Sequence, residues 1–243
     1  MANTRLPVRI TPHALLATLV EVNYTPRTHS ELALGAFYQA LQGLGFVYER
    51  QLMGLVEHRA NPTEPLFQGH GISLRVRPTT LVFNCIADEA SQAPEQSDYL
   101  GWPRYSEVIQ QVIRRLHETD QIAAFPSVAV RYINALPGLQ LNEQLQMKLP
   151  ALGDLPAPET TFYRATFADV QGFQVTLSLA DNQRVPGQQG VRSVFDITVR
   201  APTAEADLPT LFRRLDEAHT CEKHVFFGLL DPTYLERLQP EYE

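Results

Sequence analysis

Residues 99–118 read YLGWPRYSEVIQQVIRRLHE, and this stretch decides the fold. Tyr105, Val108, Ile109, Val112, Ile113 and Leu116 recur at i, i+3, i+4 and i+7, the spacing that lines up one stripe of a helix. Ser106, Glu107, Gln110, Gln111, Arg114, Arg115 and Glu118 take the other face. Pro103 suits the first turn, where its missing N–H costs nothing. Burying six such side chains contributes roughly 1.5–3 kcal/mol each before entropy is subtracted. This helix therefore belongs to the core. The only tryptophan, Trp102, stands at its start beside Tyr99 and Tyr105. These aromatics can grip a ligand or partner, or plug the core beside a sheet.

Short strands flank the helix. Residues 72–77 and 81–87 are β-branched and apolar, joined by the tight turn Pro78-Thr79-Thr80. Residues 88–98 form a polar, acidic loop, and 128–136 (VAVRYINAL) a strand on the far side. Further out, 15–24 (LLATLVEVNY) reads as a strand between Pro12 and Pro26. Thr28 and Glu31 then form a capping box for a helix with Leu32, Ala33, Ala36, Phe37, Ala40, Leu41 and Leu44 on one stripe, ended by Gly43 and Gly45. Residues 47–58 read as a strand and 61–71 as a loop. Beyond 136, four prolines (Pro137, Pro150, Pro156, Pro158) mark a crossing segment, with a short helix expected at 141–147. Residues 162–167 and 173–179 make a hairpin, 181–192 a polar loop and 194–199 a strand. A last helix spans 207–230, striped by Leu208, Leu211, Phe212, Leu215, Ala218, Val225, Phe226 and Leu229, and Pro232 follows it.

The expected fold is α+β: a largely antiparallel sheet of about eight strands, with about three main helices packed on one face and two related halves. The halves are residues 1–136 and 137–243. The crossing segment holds too many leucines for a free linker, so they are expected to form one integrated domain.

Bulk composition excludes some classes. The chain has 243 residues, 44% hydrophobic and 19% charged, which is ordinary globular composition. A formal net charge of −7 disfavours a nucleic-acid partner and an anionic membrane surface. Cys85 and Cys221 make neither a disulfide framework nor a four-ligand zinc site, and Cys221 with His224 supplies two metal ligands only. Each cysteine is either a nucleophile or an inert thiol. No signal core and no run of apolar residues long enough to span a bilayer is present, so a cytoplasmic location is expected. Glycine-rich phosphate loops, the GxSxG elbow and HExxH are missing. No cofactor and no metal are expected.

Three charges interrupt strands: Glu21, Arg131 and Asp196. They point to water if the sheet is covered on one face only. Otherwise Arg131 bridges Glu21 or Asp196 in a cleft, since an unpaired buried guanidinium costs several kcal/mol. Asp216, His219 and Lys223 share one helix face, either as an acid–base cluster or as a solvated one. If the chain is an enzyme acting on a nucleotide or phosphoester, its scattered site would draw on Glu21, Arg131, Asn134, Asp196 and His219. If it attends a nucleic acid, Arg75, Arg77, Arg114 and Arg115 would form the basic patch. The leading expectation is a non-catalytic protein-binding or assembly module, pairing with itself or another protein through Tyr99, Trp102 and Arg131.

Taken in order, several segments resemble a sporadically distributed bacterial family of about this length. ITPHALLATLVEVNY resembles its P-I-x-E-x-V-V-E-I-R-F opening, with Asn23 a departure where an arginine is commoner. Tyr99 to Tyr105, after the pair Phe83-Asn84, resembles its Y-x-G-W-x-x-F segment. Arg131-Tyr-Ile-Asn134 resembles its R-Y-I-N strand, and LFRRLDEAHTCEKHVFFGLLDPTYLERL its closing helix with a short final helix. The family has no agreed activity, catalytic residues or cofactor. The resemblance implies an intact, full-length fold and a mobile or defence-associated gene context.

Overall fold

Alternation along the first strand sets the layers of the molecule. In β1 (Leu15–Pro26), Thr18, Val20, Val22 and Tyr24 are buried, while Leu19, Glu21 and Asn23 between them are only partly so. One face thus meets the core and the other faces outward. The computed structural model describes residues 5–11, 14–49, 64–86, 101–147, 159–186, 189–203 and 207–242. After β1 come α1 (Ser30–Gln42), β2 (Val47–Glu49), β3 (Leu66–Gly69), β4 (Ile72–Val76), β5 (Thr80–Ile86) and α2 (Gly101–His117). Then follow β6 (Ile122–Pro137), β7 (Phe162–Val170), β8 (Phe173–Arg184), β9 (Val191–Pro202), α3 (Leu208–Leu229) and α4 (Pro232–Arg237).

All nine strands join one antiparallel sheet in the order β2-β3-β4-β5-β1-β6-β9-β8-β7. Setting β2 aside, the order is a palindrome: β1 mirrors β6, β5 mirrors β9, β4 mirrors β8 and β3 mirrors β7. The helices α2 and α3 follow the mirrored strands β5 and β9. The centre of the palindrome is the antiparallel pair β1–β6, with Val20 opposite Val130.

Helices cover the inward face. Phe37 of α1 meets Tyr24 edge-on at 6.0 Å, the Tyr105 hydroxyl of α2 donates to the Thr18 carbonyl, and Phe226 of α3 packs on Phe195 at 6.0 Å. Tyr105, Val108, Ile109, Val112, Ile113 and Leu116 are all buried, as their spacing requires. Asp207 caps α3 by accepting from the Thr210 amide at 2.9 Å, and Asp231 caps α4 from the Thr233 amide at 2.8 Å.

Several expectations need correction. The helix after β1 begins at Ser30 behind His29, with no side-chain cap. The capping box fails because the Thr28 hydroxyl donates to Gln121 instead, tying β1 to the turn before β6. Among the described residues there are nine strands, close to the eight or so expected; the added one is residues 66–69, read as loop, which form β3. A turn with positive φ at His70 and Gly71 folds it onto β4. The helix expected at 141–147 is a set of turns pinned by a bridge from Leu145 to Leu230 and by the Gln146 amide on the Leu229 carbonyl. Both ends of the polar stretch 181–192 are strand, since β8 runs to Arg184 and β9 starts at Val191. The three main helices stand as expected, and the short α4 follows α3. Of the strand read at 47–58, residues 47–49 are strand and the rest lie outside the described residues, as do the 88–98 loop and Tyr99.

Candidate functional site

Period-two alternation carries a set of charged and hydroxylic side chains to the outward face, where no described helix lies. Arg131 on β6 holds Asp196 on β9 through two parallel bonds, Nε to Oδ1 at 2.7 Å and Nη2 to Oδ2 at 2.6 Å. Arg200 on β9 reaches Glu21 on β1, Nη2 to Oε2 at 3.2 Å. Ala129 stands opposite both Glu21 and Arg200, so this second pair arches over a methyl group that is 1% exposed. The hydrogen bond from Arg131 to Asp196 holds its guanidinium more firmly charged, against the cost of burial, with a smaller push from Glu21. The pairs border a shallow depression of about 310 Å³, whose wall continues through Arg164 and the hydroxyls of Thr176, Ser178 and Thr198. Asn23 ties the neighbouring strands together, donating to Ser127 at 2.7 Å and accepting from Thr80 at 2.8 Å.

The inward side holds a second cluster where α2 meets α3. Trp102 donates from Nε1 to Asp216 Oδ1 at 3.0 Å, and its ring stacks on His219 with centroids 4.2 Å apart. Tyr132 closes on His219 at 5.5 Å. Burial, reinforced by the Lys223 charge, pushes the His219 pKa down to about 3. Its Nδ1 is buried without a partner. Burial raises the Asp216 carboxyl, and the bond from Trp102 opposes that rise. Glu222, one turn on, is 3% exposed with Oε1 unpartnered, and burial raises it to about 8 against the pull of Lys223. Cys221 is buried and its thiol is raised by burial and by Glu222, so it is held protonated. A neutral imidazole at so low a pKa is a feeble base and cannot serve as an acid near neutrality. The cluster's chemistry is that of a lock between two helices.

The five residues of the scattered-site reading divide. Glu21, Arg131 and Asp196 meet on the outward face. Asn134 points inward, 7% exposed and level with Leu15 and Phe195, and His219 lies beneath the sheet. The strand period explains the split, because Asn134 is odd-numbered steps from Arg131. The acid–base face of α3 divides too: His219 is stacked on Trp102 rather than solvated. Arg75 is level with Val82 on the outward face, while Arg77 pairs with Glu64 at 3.1 Å, Arg114 lies over the Phe212 ring and Arg115 pairs with Glu118. These four arginines form no single patch. Trp102 and Tyr105 plug the core side of α2, and Tyr99 lies outside the described residues.

Sequence reasoning missed Arg164, Arg200 and Glu222. Counting by two from Asp196 reaches Thr198 and Arg200 on the same face, and that count was the available signal. Among the described residues no group of three or more His, Cys, Asp or Glu could hold a metal ion, and no helix is long and apolar enough to cross a membrane. No protein-family model matches the chain, and no curated protein matches it.

Proposed function

We propose that the chain is a non-catalytic protein-binding module, which takes an acidic polypeptide segment on the outward face of its sheet. The observation that carries this reading is the charge balance of the depression. Arg131, Arg164 and Arg200 border it against Glu21 and Asp196, and both carboxylates are already engaged with Arg131 and Arg200. Hydroxyls on β8 and β9 add donors that suit carboxylates and peptide groups alike. The formal net charge of −7 disfavours the long, dense charge of a phosphate backbone more than that of a short acidic segment. The division of Glu21, Arg131 and Asp196 from Asn134 and His219 weighs against a shared catalytic pocket. The resemblance to the sporadically distributed bacterial family, and a cytoplasmic setting, belong to the same proposal.

Titration of the labelled protein with a Glu-rich peptide, followed by amide chemical shifts, tests it. Shifts concentrated on β6, β7, β8 and β9, and abolished when Arg131, Arg164 and Arg200 are changed to Gln, support the proposal. Absence of shifts there overturns it. A response to a DNA duplex and none to the peptide also overturns it, in favour of a nucleic-acid partner.

A further inference from the structure

The palindrome of the sheet is incomplete at one end. In the first half β2 pairs with the outer edge of β3, whereas β7, the mirror of β3, has no described strand on its outer side. The edge of β7 is also poorly guarded. Phe162 is 71% exposed and Phe167 is 44% exposed, and Arg164 is the one lysine or arginine along Phe162–Val170. Edge strands that avoid pairing are usually short, charged or interrupted by proline.

We infer that β7 pairs antiparallel with β7 of a second copy of this chain, so that two sheets run into one. Arg164 belongs to both surfaces, but the pairing does not require the outward face to bind anything. Symmetry about an axis normal to the sheet demands that facing residues share a face, which restricts the register. Centring on Arg164 would set two guanidiniums directly opposite, an unfavourable like-charge pair. Centring on Ala165 sets Arg164 opposite the partner's Thr166 and Tyr163 opposite the partner's Phe167, so each aromatic pair is made twice. Cross-strand aromatic pairs of this kind are among the favourable ones. The register shift between Phe167 and Val170 ends the regular segment just beyond this pairing. Self-complementarity is what selects a second copy over a foreign strand, which would need matching aromatics at both ends.

Sedimentation of the full chain across rising concentration is the test, together with oxidative cross-linking of an Ala165→Cys variant. The native thiols Cys85 and Cys221 are buried and do not compete. A concentration-dependent dimer is expected, with Ala165→Cys forming a disulfide-linked dimer. Phe167→Lys should return the chain to a monomer with an unchanged far-UV spectrum, and with an unchanged melting curve at concentrations where the wild type is itself monomeric, since Phe167 is exposed. A wild-type monomer at every concentration overturns the inference. So does a dimer that survives Phe167→Lys, or one that Ala165→Cys fails to link. Loss of the dimer with peptide binding intact would leave the outward-face reading standing, so the two can fail separately.

Discussion

The two faces of the central strands handle ionisable groups in opposite ways. On the outward face Arg131 and Asp196 are partly exposed, at 39% and 25%, and each finds its opposite in good geometry. On the inward side Glu222 and His219 sit one turn apart on α3, and each keeps a buried polar atom without a partner. They escape the cost of buried charge by staying neutral, Glu222 protonated and His219 deprotonated. Neighbouring residues illustrate the contrast: Arg131 is paired at the surface while Tyr132 packs against His219. Charges that are paired in the open add little stability and remain available to a partner. Charges that are hidden make the fold depend on pH.

The largest expected effect breaks the comparison on its inward side. Glu222 keeps its proton to about pH 8 when folded, against 4.5 for the ordinary group. The unfolded chain loses that proton first, so stability falls as pH rises from 4.5 to about 8. The fall amounts to at most about 5 kcal/mol. His219 has the opposite sign. Its folded pKa of about 3 lies below the ordinary 6.5, so its contribution is lost as pH drops from 6.5 towards 3. The two slopes cancel between 4.5 and 6.5, where urea midpoints should form a plateau. Glu222→Gln should remove the alkaline fall and leave the acid one. A wild-type midpoint that is level from pH 6.5 to pH 8 would contradict this account.

Next in size is the apolar stripe of α2. Ile109 is fully buried, and Ile109→Ala should cost roughly 2–5 kcal/mol through lost burial and the cavity left behind. Denaturant unfolding measures it. The smallest effect belongs to the outward face. Asp196→Asn leaves the strand intact and removes one half of a partly exposed pair, so stability should change by only about 1 kcal/mol or less. A loss as large as that of Ile109→Ala would erase the distinction between the faces.

Much of this division was legible in the sequence, and the reasons differ by element. The α2 stripe was complete, because six apolar positions at helical spacing admit one reading. Glu21, Arg131 and Asp196 announced a one-sided sheet through their apolar neighbours: they face outward, and the bridge from Arg131 to Asp196 forms on that open face rather than inside a covered cleft. Glu222 is hidden because it occupies a stripe position, four residues after Ala218 and four before Phe226, where the helical period calls for an apolar side chain. β3 was hidden by its length and by the glycines and prolines around it. The bond between Trp102 and Asp216 joins residues 114 apart, and no local pattern encodes a meeting of that kind.

The central claim is that the outward face serves binding and contributes little to the fold. The direct measurement pairs thermal melting with Glu-rich peptide affinity for the variant in which Arg131, Arg164 and Arg200 are all changed to Gln. Stability within about 2 kcal/mol of wild type, with affinity down at least about tenfold, is the predicted result. Peptide affinity that survives while the melting temperature collapses would contradict it, because the arginines would then belong to the architecture and not to a binding surface.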